Sequence, residues 1–420
     1  MTTVELAIDA PRVDLRLGFV SDRSCFIGTD GVWVNPGVGR LCEALSHRCA
    51  GLTAALSAAP HRQPAHEELL PLRPEQLLSM PFVESLATGF FQTTAARRGM
   101  RELESRSDIV VVQLPFAAIG ALAQPRTPRV YHVCANVRTI VAASDRYRGL
   151  RRIAAETLAR VIDRRQRRLI SAPGSRLVAN GRELLDRYGA DRGQAVVSST
   201  LLPEEVASVR RERPTDAPWR ILFVGFLRHE KGIDVLLDAF ERLLIDCPGM
   251  ELEIVGAADL HDHGVDAQLR SAVERIGRRA TIRLLGHVPF GPELFRRYAE
   301  ADVCVVPSRS EGTPRVLVEA RAFGCPVIAS RVGGIPTSID EGRDGLMVPP
   351  GDATALHAAL LRLRNDRKLR DSLIAAGYER AHATTVDRLA DAITAEARRA
   401  YEQGQPTSSE AAVRRPTAEV

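Results

Sequence analysis

Residues 301–352 read ADVCVVPSRSEGTPRVLVEARAFGCPVIASRVGGIPTSIDEGRDGLMVPPGD, and their order of apolar runs and breakers decides the fold. Residues 303–307 form a short apolar run of the kind buried in a parallel sheet. Pro314 suits the first turn of a helix, where a missing N–H costs nothing, and Gly312 or Thr313 can cap it. A second apolar strand, 326–329, leads to Gly333-Gly334. In such a unit the loops after the strands gather at the carboxyl edge of the sheet, where α/β proteins bind ligands. The amides of 312–316, at a helix start, make an anion site. Glu311 and Glu319 bracket that start eight residues apart. Amides for phosphates beside carboxylates for sugar hydroxyls suit a nucleotide-sugar.

The same alternation extends outward. RILFVG (220–225) reads as a buried strand, GIDVLLDAFERLL (232–244) as an amphipathic helix and LEIVG (252–256) as another strand. A helix over 266–275, the strand IRLLG (282–286) and the helix ELFRRYAEA (293–301) follow. This pattern predicts a parallel sheet with helices on both faces. Strand candidates in the first half are 15–20, 109–114, 130–133 and 177–179. There PGVG (36–39) opens a helix, RLCEALSHRCAG, that ends at Gly51. Gly37 and Gly39 then line either a cleft-facing loop where backbone approaches phosphate, or an ordinary turn.

A chain of 420 residues exceeds what one core usually supports, so two domains are expected. We place them at 1–205 and 206–385, joined by a linker at 209–218. A helix over 386–402 crosses back to the first domain, and 403–420 lacks the apolar periodicity of ordered structure. A formal charge of +5 with 26% charged residues implies no general affinity for polyanions. The seven cysteines show no C-x-x-C pair and no Cys/His spacing for a metal. Reduced thiols, no apolar leader in the first residues and no apolar stretch long enough to span a bilayer predict a cytoplasmic protein.

EGTPRVLVEARAFGCPVIAS (311–330), GGIP (333–336) and DGLMVPPGD (344–352) resemble the donor-binding domain of the GT4-type retaining glycosyltransferases. The likeness is good over 219–352 and loose before it. It implies an α/β protein of the GT-B fold, two Rossmann-like domains with parallel sheets facing a central cleft. The function implied is hexosyl transfer from a nucleotide-diphosphate sugar, such as a UDP- or GDP-hexose, to a glycan or lipid-linked acceptor. Cell-surface polysaccharide or glycoconjugate synthesis is the setting it suggests. No metal or other cofactor is implied, and no Asp-x-Asp stands at a strand end. Retention would come from same-face attack in which the leaving phosphate helps deprotonate the acceptor.

Transfer builds charge on the departing diphosphate, so the site needs fixed cations and N–H donors. FVGFLRHEKG (223–232) offers Lys231 just ahead of a helix, with Arg228 three residues earlier. In the family an arginine normally follows the VG, where this chain has Phe226. By resemblance, Glu319 accepts hydrogen bonds from the ribose and Glu311 lies near the donor sugar's hydroxyls. Gly312 and Thr313 present amides. Arg315 is either a diphosphate ligand or a solvated cation. Val288, in the turn after 282–286, lies where the base is bound. His132 is either a contact to the donor sugar or its phosphate, or a satisfied core histidine, with Asn136 as the other cleft candidate. Two alternatives stand beside transfer: a sugar-nucleotide epimerase of similar fold, and a nucleotide-sugar binder without catalysis, which Phe226 keeps open. A dinucleotide-dependent oxidoreductase fits poorly, because no G-x-G-x-x-G follows a strand.

Residues 146–169, RYRGLRRIAAETLARVIDRRQRRL, carry nine arginines against Glu156 and Asp163. Leu150, Ile153, Ala154, Leu158, Val161 and Ile162 fall at helical spacing. That face either packs on the first domain or rests on anionic lipid at the inner face of the membrane. No motif supports nucleic-acid binding.

Overall fold

The computed structural model describes residues 12–62, 68–70, 72–83, 86–143, 147, 149–208, 217–257, 263–277 and 281–404. Arg146, Arg148, most of the 209–218 linker and the tail from 405 lie outside the described residues.

The first sheet is built on Val13–Gly28, whose inner half is apolar at every position from Leu17 to Val20. Seven parallel strands run in the order Leu77–Met80, Cys49–Ala58, Val13–Gly28, Ile109–Leu114, Arg129–Val133, Ser175–Asn180 and Gly193–Val196. The outer half of Val13–Gly28 turns back through Gly31–Val34, to which Glu68–Leu69 adds antiparallel. The second sheet is wholly parallel, in the order Thr281–Gly286, Glu251–Val255, Arg220–Val224, Val303–Val306, Val327–Ser330 and Leu346–Val348. Apolar runs buried on both faces require helices above and below. One face of this sheet carries Ile233–Asp246 and Ala353–Asn365. The other carries Pro292–Glu300 and Arg315–Ala322.

The last helix, Val386–Gly404, buries Val386, Leu389, Ala390, Ile393 and Ala397 against the first sheet and the helix Pro36–Ser46. Arg48 ties this helix down through Asp387 (2.7 Å) and Asp391 (2.6 Å).

Three sequence expectations need correction. The helix begun by PGVG ends at Ser46, not Gly51, and Cys49–Ala58 is an interior strand. CAGLTAALSA is rich in Ala and Gly, which are poor strand formers, so its burial between two strands decides its conformation. Pro314 is the residue before the helix Arg315–Ala322 rather than part of its first turn, and no side chain caps that helix. Thr313 donates elsewhere, as described below. Finally, in Leu150–Ile170 the packed residues are Ala159, Ile162, Asp163, Gln166 and Ile170. Of the face expected either to pack on the domain or to rest on lipid, Ile162 is buried and Leu158 packs on the core, whereas Leu150, Ile153 and Val161 are 85%, 62% and 37% exposed.

Candidate active site

Three loops gather at the carboxyl edge of the second sheet. The loop after Arg220–Val224 carries Phe226, Arg228 and Lys231. Lys231 lies on the single turn His229–Lys231, and Gly232 closes it at φ +68°. A Cβ at Gly232 would stand 2.0 Å from the Pro307 carbonyl oxygen, so only glycine lets this turn press against the next strand's end. Arg309 fastens the two loops: its amide donates to the Glu230 carbonyl (2.8 Å), and its guanidinium holds Asp234 (2.6 Å).

That fastening brings Lys231 to Glu311. The Lys231 Nζ donates to Glu311 Oε1 at 2.5 Å, and Ser308 Oγ donates to the same oxygen at 2.9 Å. Two groups eighty residues apart in sequence thus form one partly open pair. Arg228 sits to the side, its guanidinium 5.0 Å from the centroid of the Phe226 ring and 3.7 Å from Glu230. The Phe226 ring is 55% exposed.

Glu319 has a different setting. It is 7% exposed, and the fully buried Tyr298 donates its hydroxyl to Oε2 at 2.8 Å. Behind it Phe295, Phe323 and Tyr298 stack, with Phe295 and Phe323 centroids 4.4 Å apart. Burial raises the Glu319 carboxyl above its ordinary range, which Arg315 and the Tyr298 hydrogen bond partly offset. A buried acid with one donor is built to accept further hydrogen bonds.

Between the two acids, the helix start faces the first domain. Thr313 Oγ1 donates to the Asn180 carbonyl (3.2 Å), and Arg315 Nη1 donates to Thr200 Oγ1 (2.7 Å). Gly333, at φ +52°, backs onto this loop; a Cβ there would lie 1.9 Å from the Glu311 carbonyl oxygen. The Gly334 amide donates to the Gly312 carbonyl (3.0 Å), which fixes the loop ahead of the helix. Gly37 packs directly against Arg315, whose Nη1 would be 2.7 Å from a Cβ. The amides of Gly37 and Gly39 both bond Asn35, through Oδ1 (3.0 Å) and the carbonyl oxygen (3.1 Å). What this loop offers the cleft is therefore room for Arg315 rather than spare N–H groups.

Val288 is buried by its side chain among the aromatics of the second domain, leaving its backbone as the group available after Thr281–Gly286. His132 is 1% exposed, with Nε2 3.3 Å from Ser198 Oγ. Burial lowers its pKa to about 4, so the ring is neutral near pH 7. Asn136 is buried, and its Oδ1 accepts from the Arg138 amide (3.0 Å). Among the described residues no group of three or more His, Cys, Asp and Glu side chains could hold a metal ion.

Sequence reasoning missed Tyr298, Ser308 and Thr200, as well as a clamp across the cleft. Arg40, on Pro36–Ser46, pairs with Glu205 (2.5 Å), donates to the Thr200 carbonyl (3.1 Å) and lies 4.9 Å over the Phe290 ring. None of these carries a motif.

Two parallel-sheet domains joined by a crossing C-terminal helix, with loops converging between them, define the GT-B fold. Solved structures share it: sucrose-phosphate synthase from Thermosynechococcus elongatus covers 93% of this chain and all of its own, with a TM-score of 0.65 at 21% identity. Anabaena HepE in complex with UDP covers 91% of this chain and 98% of its own, with a TM-score of 0.62 at 17% identity. Residues 218–366 match the model of the Glycosyl transferases group 1 family. The D-inositol 3-phosphate glycosyltransferase of Geodermatophilus obscurus is 32% identical over 302 residues, 66% of this chain and 63% of that protein. This chain thus spans a little under two thirds of that relative's length. The second domain of this chain is similar to the group 1 glycosyl transferases.

Proposed function

We propose that the chain moves a hexosyl group, with retention of configuration, from a nucleotide-diphosphate sugar to a glycan or lipid-linked acceptor. Cell-surface polysaccharide or glycoconjugate synthesis is the setting we favour. The observation that carries this reading is the Lys231–Glu311 pair at 2.5 Å, set beside the start of the helix Arg315–Ala322. As the sugar–phosphate bond breaks, charge grows on the departing diphosphate. The Lys231 ammonium and the helix start stabilise that charge, and charge-assisted bonds contribute about 1.5–3 kcal/mol each. Arg315, held by Thr200 of the first domain at 2.7 Å, is a second cation at the helix start. Glu311 then orients the donor sugar by accepting from its hydroxyls, and Glu319 holds the ribose. The HepE structure with UDP supports a nucleoside diphosphate in this kind of cleft.

Binding without turnover is favoured by one observation, Phe226 in place of the family's arginine. Arg228, resting on the Phe226 ring, is the cation that would substitute for it. Release of UDP or GDP from UDP- and GDP-hexoses separates the two readings. Turnover by the wild-type chain that falls about 10²–10³-fold in Lys231→Ala supports transfer. Equal turnover in the variant would remove Lys231 from the reaction.

A further inference from the structure

Leu150–Ile170 packs on the first domain through Ala159, Ile162 and Ile170, yet it also buries polar groups and turns other apolar side chains outward. Its buried face holds Asp163, which accepts from Tyr188 Oη (2.8 Å) and Arg187 (2.9 Å), and Gln166, which is fully buried. Its outward face holds Leu150 at 85% exposure, Ile153 at 62% and Val161 at 37%. Residues 150, 153, 154, 157, 161, 164 and 168 fall on one stripe of a 3.6-residue helix, so these apolar side chains share a line with Arg164 and Arg168. The helix carries seven arginines against Glu156 and Asp163.

The surroundings repeat the pattern. Ile140, 48% exposed, stands on the neighbouring helix Val137–Ala143, which Arg152 joins through the Ala142 carbonyl (3.1 Å). At the far end Phe91, 84% exposed, stacks edge-on to Phe90, whose ring lies under the Arg165 guanidinium at 5.1 Å. Between the two helices opens a groove of about 370 Å³ lined by Asn136, Arg138, Thr139, Glu156, Arg160 and Arg187.

We propose that this face docks the protein on an anionic phospholipid bilayer. A line of exposed aliphatics within a field of arginines fits an interface where hydrocarbon lies a few ångströms below anionic headgroups. Arginine stems reach across that boundary with their charges outward, and the arginine-lined groove accepts headgroup phosphates. A second copy of the chain would set arginine against arginine. Nucleic acid would leave Leu150 and Ile153 uncovered. The proposal rests on the exposed side chains of Leu150–Ile170 and does not depend on how the donor site is read.

Co-sedimentation of the full chain with vesicles tests the proposal. We expect at least about tenfold more binding to mixed phosphatidylglycerol–phosphatidylcholine vesicles than to phosphatidylcholine alone, weakening as salt screens the headgroups. Leu150→Ser with Ile153→Ser should lower binding about tenfold or more. Its melting temperature should stay unchanged, because both side chains are exposed. Arg164→Gln with Arg168→Gln should weaken binding as well. Wild-type protein that stays in the supernatant at low salt would overturn the proposal. So would equal binding by the serine variant, which would identify a general polyanion surface instead.

Discussion

Glu319→Gln separates what this residue does for the fold from what it does for the ligand. The glutamine keeps an oxygen for Tyr298, 2.8 Å away in the wild type, and matches the volume of the 7% exposed side chain. It removes a charge that burial disfavours. The sign follows from the raised carboxyl pKa. Above the ordinary value of 4.5, the folded state holds a proton that the unfolded state has lost. Wild-type stability therefore falls as pH rises through that window and then stays lower. Glu319→Gln should lack this decline and melt at the same or a higher temperature at neutral pH. The ligand responds the other way. Losing one charge-assisted hydrogen bond from the ribose costs about 1.5–3 kcal/mol, roughly a 10- to 150-fold rise in Kd for the nucleoside diphosphate. Thermal melts across the acid-to-neutral range and calorimetric titration measure both quantities. Unchanged affinity would refute the ribose role. A fall in melting temperature as large as that of Glu319→Ala would refute the claim that the charge burdens the free protein.

His132 titrates in the opposite sense. Its folded pKa of about 4 lies below the ordinary 6.5, so its contribution is complete above pH 6.5 and lost as pH falls toward 4. It amounts to at most about 3 kcal/mol; melts of His132→Gln should show a shallower acid decline, and an unaltered decline would contradict the burial argument. Arg40→Ala removes the ion pair to Glu205 and the contact over Phe290, which should loosen the domains. Small-angle scattering should show a larger radius of gyration and the donor KM should rise severalfold; no change in either would mean that Arg40 does not hold the cleft closed.

The second domain was the more legible half. Apart from the exposed edge strand Thr281–Gly286, its strands are buried and read as apolar runs, and the Glu311–Glu319 spacing sits between two of them. The first domain hid more. Cys49–Ala58 is an interior strand made of small residues, and its conformation is imposed by neighbours rather than by propensity. Leu150–Ile170 shows the limit of periodicity. Its apolar spacing was visible, but only part of it packs, and the burial of Asp163 with Tyr188 and Arg187 is a contact no spacing reveals. The site divides in the same way. Lys231, Glu311, Glu319 and Arg315 announce themselves by residue type beside a helix start. Tyr298 and Thr200 do not, because a hydroxyl that serves a distant carboxylate or guanidinium looks like any other.

The central claim is that the cleft binds a nucleoside diphosphate through Lys231 and the helix start beside it. A thermal-shift titration of wild type and Lys231→Ala with UDP, GDP, ADP and NAD tests it most directly, since a ligand that binds the native state raises its melting temperature. The account predicts a rise with one nucleoside diphosphate that is much reduced in Lys231→Ala. No rise with any diphosphate, or a rise with NAD alone, would contradict it.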